Sequence, residues 1–141
     1  MPYRTHVHIE PGAQARELRV VAESDTAQAL GTGEVPVVAS SRLFAWCEAA
    51  SLAVLEPVVP PGSTSVAMRV QMDHIRAASV GCSITAIATL ERIEGRRYVF
   101  VVSALGQAAE GDDPVEIANG RIVRVVVDKA DFLAKACGSA G

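Results

Sequence analysis

Two stretches of this chain hold the residue types of a hydrolytic site. The first, Ala39 to Leu55, is apolar and carries one acid, Glu48, with Ser40 and Ser41 near its start. The second, Ser65 to His74, ends in an imidazole. A carboxylate inside an apolar helix is unfavourable unless it has a partner or a task. Glu48 can act as a general base toward water, or attack a carbonyl itself. His74 can exchange protons at neutral pH. A serine hydroxyl can attack or donate a hydrogen bond, and a helix start offers free N–H groups to an oxyanion. Plainer readings stand beside these. Glu48 fits a solvated helix edge, His74 a structural or surface position, and Ser40 an N-cap.

These residues need elements to hold them. Helical residues advance about 100° each, so the seven steps from Ser41 bring Glu48 back to the same face. Leu43, Trp46 or Cys47, Ala50 and Val54 follow helical spacing, and small residues fill the remaining positions. This predicts a helix over Ser41–Leu55, capped by Ser40 and buried nearly all round by a wrapping sheet. Pro57, Pro60, Pro61 and Gly62 end it.

A short strand is expected at 16–22 and long ones at about 64–75, 81–93, 96–109 and 115–127. Glu94-Gly95 reads as a tight hairpin turn and Gly111-Asp112-Asp113-Pro114 as the next turn. On the third of these strands Ile84, Ala86, Ala88 and Leu90 alternate with Ser83, Thr85, Ile87 and Thr89. The four long strands read as an antiparallel meander. Residues 1–15 read as a loose lead-in, 22–38 as a loop and 129–136 as a short terminal helix. A free sheet edge remains, and pairing two copies edge to edge would remove it.

Composition narrows the function. A chain of 141 residues is of one-domain size. Half the residues are hydrophobic and the mean hydropathy is +0.26, which suggests apolar surface covered by a second subunit. The net charge of −3 is scattered and aromatics are 4%, so neither a phosphate track nor a base-stacking platform for nucleic acid is present. The longest uncharged stretch, Ala77 to Leu90, is too short to span a membrane. Met1 to His6 has no apolar core of a signal peptide behind it, so a cytoplasmic location is expected.

Cys47, Cys82 and Cys137 are odd in number and widely spaced. They read as reduced thiols, two of them buried, rather than a disulfide frame or a zinc site. His6 and His8 alternate as metal ligands might be arranged, but lack a third ligand, and a flexible N-terminus is expected there. Gly31-Thr32-Gly33 lacks the rest of a phosphate loop, and no serine sits in a GxSxG elbow. No metal and no cofactor are expected.

Taken together, Ser40, Glu48 and His74 resemble the hotdog-fold thioesterases, and within them the fluoroacetyl-CoA thioesterase group. That pattern has a Thr just before the helix, a Glu eight residues on, a His closing the next strand and a Gly seven residues later. Here the places hold Ser40, Glu48, His74 and Gly81. The likeness spans about residues 35 to 130.

The resemblance implies an α+β hotdog fold, an antiparallel sheet wrapped around a long central helix, and a homodimer with active sites at the interface. It implies hydrolysis of an acyl-CoA thioester. Glu48 would be base or nucleophile, His74 would handle protons, and Ser40 would replace the Thr. Ser41, Ala67, Arg76 and Gly81 would contact the substrate, with Arg42 and Arg69 as further candidates for the CoA phosphates. Ala67 replaces a Gly that contacts the acyl end, and no Phe precedes Phe44 to form the fluoroacetyl enzyme's lid. Another short or medium acyl group is therefore expected. Two alternatives share the fold: a non-catalytic acyl-CoA or small-ligand binder, and a lyase such as an enoyl-CoA hydratase, whose Asp–His arrangement is not found here.

Overall fold

In the computed structural model, which describes residues 7–138, five strands form one antiparallel sheet around a helix. The strands are β1 (Gln14–Val20), β2 (Ser63–His74), β3 (Ser83–Glu94), β4 (Arg97–Gln107) and β5 (Val115–Asp128). The helices are α1 (Ala27–Leu30), α2 (Ser40–Leu55) and α3 (Lys129–Ala134).

β3 shows why the sheet wraps α2. Ile84, Ala86, Ala88 and Leu90 alternate inward and are buried. The alanines let the helix sit close, and Leu43, Trp46, Cys47, Ala50, Val54 and Leu55 meet them from α2. Phe100 of β4 and Ile122 of β5 are buried in the same core. Gly95 and Arg96 form the two-residue turn between Glu94 and Arg97, with Gly95 at φ +60°. A Gly first in the turn fits the type II′ hairpin.

The strand order corrects the expected four-strand meander. It is β1-β3-β4-β5-β2, so β2 pairs with β5 rather than β3. Residues 75–82 carry the chain from β2 to β3 as a strap. At eight residues that strap is too long for a tight hairpin, so the two strands it joins need not be neighbours. β2 and β1 are left as the sheet's edges.

Other expectations also change. β1 begins at Gln14, two residues early. The described part of the lead-in is not loose: Val7 is buried, Ile9 packs on the core, and Gly12 N–H donates to the Leu90 carbonyl. His8 is exposed, and His6 lies outside the described residues. The loop 22–38 holds a 3-10 turn at Glu23–Asp25 and α1, whose N-cap Thr26 accepts from Ala29 N–H. The helix α2 buries one face only, leaving Ser40, Ser41, Ala45 and Glu48 exposed. Small residues made it look apolar all round, although several face outward.

One cysteine is buried rather than two. Cys47 is buried, Cys82 half-buried and Cys137 exposed, and all three are free. Burial pushes the Cys47 thiol up to about 12, from an ordinary 9.0. The unfolded chain ionises this thiol first, so stability present below about pH 9 is lost as pH rises toward about 12. The slope is up to about 1.4 kcal/mol per pH unit. Urea unfolding at about pH 8 and about pH 10 checks this. Cys47→Ala should be less stable than the parent at both, yet lose less between them.

Candidate active site

Ser40 is the first residue of α2, not its cap. Ala39 is the N-cap and has no side chain able to bond the first turn. The Ser40 hydroxyl is therefore free for other work, and it lies 2.7 Å from His74 Nδ1. On the other side of the ring, His74 Nε2 is 2.9 Å from the Arg76 carbonyl. A carbonyl oxygen only accepts, so Nε2 carries the proton. In the neutral ring Nδ1 is then the acceptor, and the Ser40 hydroxyl donates to it. Hydroxyl, imidazole base and an orienting acceptor are the parts of an activated nucleophile.

Local sequence explains the arrangement. β2 ends at His74, opposite Ala118 of β5. Ile75 and Arg76 both donate their N–H groups to the Ile117 carbonyl, at 2.8 and 3.2 Å. That turn brings the Arg76 carbonyl back to the ring. Further along the strap, the Ala78 carbonyl accepts from Val38 N–H at 2.8 Å, and Ser79 bridges Val37. One strap thus fixes both the imidazole and the segment entering α2. Asp73, next to His74, is exposed and has no hydrogen bond to the ring.

Glu48 is exposed in the single chain, which corrects the expectation of a buried acid. It shares the open face of α2 with Ser41 and Ala45. Eight residues separate it from Ser40, about 12 Å along the helix axis. Among the described residues no hydrogen bond joins its carboxylate to Ser40 or His74. The structure therefore brings Ser40 and His74 together and leaves Glu48 two turns away.

The remaining candidates are spread around this pair. Ser41 is exposed beside Ser40, and Ala67 is half-buried where β2 shifts register between Ala67 and Arg69. The Arg76 side chain is exposed, as is Arg69. Arg42 is engaged elsewhere, 3.0 Å from Asp25. Gly81, at φ +94°, lines a cavity of about 360 Å³ with Ala78, Cys82, Gly106 and Ile117.

Sequence reasoning missed Arg124. It stands on β5 among valines, yet is only 4% exposed. Its Nε donates to Ser65 Oγ (2.8 Å) and its Nη2 to the Ser65 carbonyl (2.8 Å). Its Nη1 donates to Ser51 Oγ (3.2 Å) and reaches the Glu48 carbonyl at 3.5 Å. Ser51 Oγ also donates to that carbonyl, at 2.7 Å. Burial lowers the Arg124 pKa, and the Glu48 charge opposes the fall. The available signal was a set of polar residues, Ser51, Ser65 and Arg124, at inward positions of otherwise apolar elements.

Known proteins share this frame. A family model described as fluoroacetyl-CoA-specific thioesterase matches residues 21–130. The chain belongs to that family. The matched span includes α2, the strap, His74 and Arg124. A fluoroacetyl-CoA thioesterase from Streptantibioticus cattleyicolor is 31% identical over 99 residues, 70% of this chain and 67% of that protein.

Two solved structures are also similar. A fluoroacetyl-CoA thioesterase superposes with TM-score 0.78 at 28% identity, over 90% of this chain and 94% of that one. A thioesterase superfamily member from Thermus thermophilus gives TM-score 0.80 at 26% identity, over 89% of each chain. The thioesterase's fold is the hotdog, as the resemblance implied. Among the described residues no helix is long and apolar enough to cross a membrane, and no group of three or more His, Cys, Asp or Glu could hold a metal ion.

Proposed function

We propose that the protein hydrolyses an acyl-CoA thioester to the free acid and CoA, with Ser40, His74 and Glu48 acting on one carbonyl. The observation that carries this reading is the chain from Ser40 hydroxyl through the His74 ring to the Arg76 carbonyl, in a member of a thioesterase family. The thioester carbonyl sits at the start of α2 beside the Ser40–His74 pair, and the Glu48 carboxylate of the same or the paired chain approaches its carbon. The Ser40 and Ser41 N–H groups at the start of α2 stabilise the oxyanion. His74 Nδ1 receives the proton that the reacting water gives up and passes it to the CoA sulfur as the C–S bond breaks. Glu48 either draws that proton from water, whose oxygen then bonds the carbonyl carbon, or bonds the carbon itself to give a mixed anhydride that the same water hydrolyses to the free acid and the Glu48 carboxylate. In labelled water, a single turnover that puts label first into the Glu48 carboxylate marks direct attack.

The acyl group is short or medium, with Ala67 and Gly81 alongside it, and Ser41 and Arg76 toward the CoA. The active assembly is a homodimer. β2 is an edge strand with Met68 and Val70 exposed, so two such edges pair and cover them. The open face of α2 then lies near the partner, which gives Glu48 an enclosed setting. Release of free CoA from a panel of acyl-CoAs tests the function. Turnover of a short or medium member is expected. Saturable binding by calorimetry with no turnover of any member would instead make the protein an acyl-CoA binder.

A further inference from the structure

We infer that Arg124 is a positioning residue for Glu48: its buried guanidinium ties the Glu48–Ser51 turn of α2 to β2 and provides the positive charge that the Glu48 carboxylate answers. This rests on the reading that Glu48 acts on the thioester.

The guanidinium's hydrogen-bond partners leave its charge unbalanced. Arg124 is buried, and its four contacts are all neutral: Ser65 Oγ, the Ser65 carbonyl, Ser51 Oγ and the Glu48 carbonyl. A buried charge without an opposite charge is strongly unfavourable. Ion pairs join Arg19 to Glu17, Arg42 to Asp25, Arg92 to both Glu91 and Glu94, and Arg121 to Glu91, and none of these includes Arg124. The strand neighbours of Arg124 are Tyr98 on β4 and Ala67 on β2, and neither balances it. Glu48, whose carbonyl the guanidinium reaches, also carries the charge that opposes the lowering of the Arg124 pKa by burial.

Geometry adds the second part. Nε and Nη2 both bind Ser65, which fixes the guanidinium plane on β2. Nη1 then faces α2 and meets the two groups of its third turn, Ser51 Oγ and the Glu48 carbonyl. Only a planar fork spans two elements in this way, so a lysine would not substitute fully. Ser51 donates to the same carbonyl and closes the network around the residue proposed to supply the attacking oxygen.

A double-mutant cycle of Arg124→Met and Glu48→Gln in the full-length protein tests the inference. Both turnover and urea unfolding are measured. Arg124→Met should lower kcat at least about tenfold, with a smaller change in KM, and should lower it little further once Glu48 is Gln. Arg124→Lys should recover part of the loss. Glu48→Gln should lower the unfolding midpoint of the parent, where it strands the cation, and leave that of Arg124→Met unchanged.

Equal effects of Arg124→Met on kcat in both backgrounds, or equal effects of Glu48→Gln on unfolding, overturn the inference. If Arg124→Met does not fold, Ser65→Ala replaces it in the same cycle, with a few-fold coupled loss of kcat expected and an uncoupled one overturning it. The two readings fail separately. A parent that hydrolyses no acyl-CoA but shows a coupled unfolding cycle sinks the thioesterase reading and keeps the charge pair. Hydrolysis with uncoupled cycles does the reverse.

Discussion

Replacing His74 with alanine is expected to slow acyl-CoA hydrolysis by about 10²–10⁴-fold, the usual worth of a general acid–base group. The loss should fall on kcat more than on KM, because the ring acts on the reacting atoms rather than on the CoA. Structure gives a reason to expect a folded variant. The strap is tied by the Ile75 and Arg76 N–H groups to the Ile117 carbonyl, and by Val38 N–H to the Ala78 carbonyl. None of these bonds involves the imidazole. The Ser40 hydroxyl, by contrast, loses its acceptor. Steady-state kinetics beside a melting curve check the prediction. An unchanged kcat in a folded variant removes His74 from the mechanism.

The largest expected effect on stability comes from one methyl group. Gly120 on β5 sits opposite Met72 of β2. A Cβ at Gly120 would run into the Gln71 carbonyl oxygen and the Met72 backbone. Backbone cannot swing aside as a side chain can, so β2 and β5 must separate. Gly120→Ala is expected to destabilise the fold by about 3 kcal/mol or more. It should also reduce turnover, since His74 lies two residues beyond Met72 on the displaced strand. Gly106→Ala is the matched control. Its Cβ would meet the side-chain ends of Ile117 and the Cys82 sulfur, which can shift, so a smaller loss is expected. Urea midpoints for the two variants decide it, and equal stabilities would contradict the packing argument.

The elements that carry strong local signals were legible in the sequence. α2 announces itself through helical spacing and the prolines after it, and begins within a residue of the expected place. The β3 alternation marks its buried face, and Glu94-Gly95 marks the hairpin. Long-range pairing was not legible. Nothing local to residues 63–74 says that they pair with β5 rather than β3. The strap's length was the available clue.

The candidate site was legible in part. Ser40 and His74 were both singled out, but a serine at a helix start reads first as a cap. Only the fold shows Ala39 in that role and the hydroxyl turned to the imidazole. Glu48 was singled out too, and its exposure was not foreseen, because alanines on an open helix face look like core residues in one dimension. Arg124 escaped because a single arginine between valines reads as an outward position. Burial reverses that reading, and it takes Ser51 and Ser65 from two other elements to satisfy the guanidinium.

The most direct test of a shared centre for Ser40, His74 and Glu48 is a crystal structure with an acyl-CoA analogue whose thioester sulfur is replaced by CH₂. The ketone carbonyl should lie at the start of α2, within hydrogen-bonding range of the Ser40–His74 pair, with the Glu48 carboxylate, of the same or the paired chain, close to its carbon. An analogue bound with its carbonyl away from both His74 and Glu48 would contradict the account.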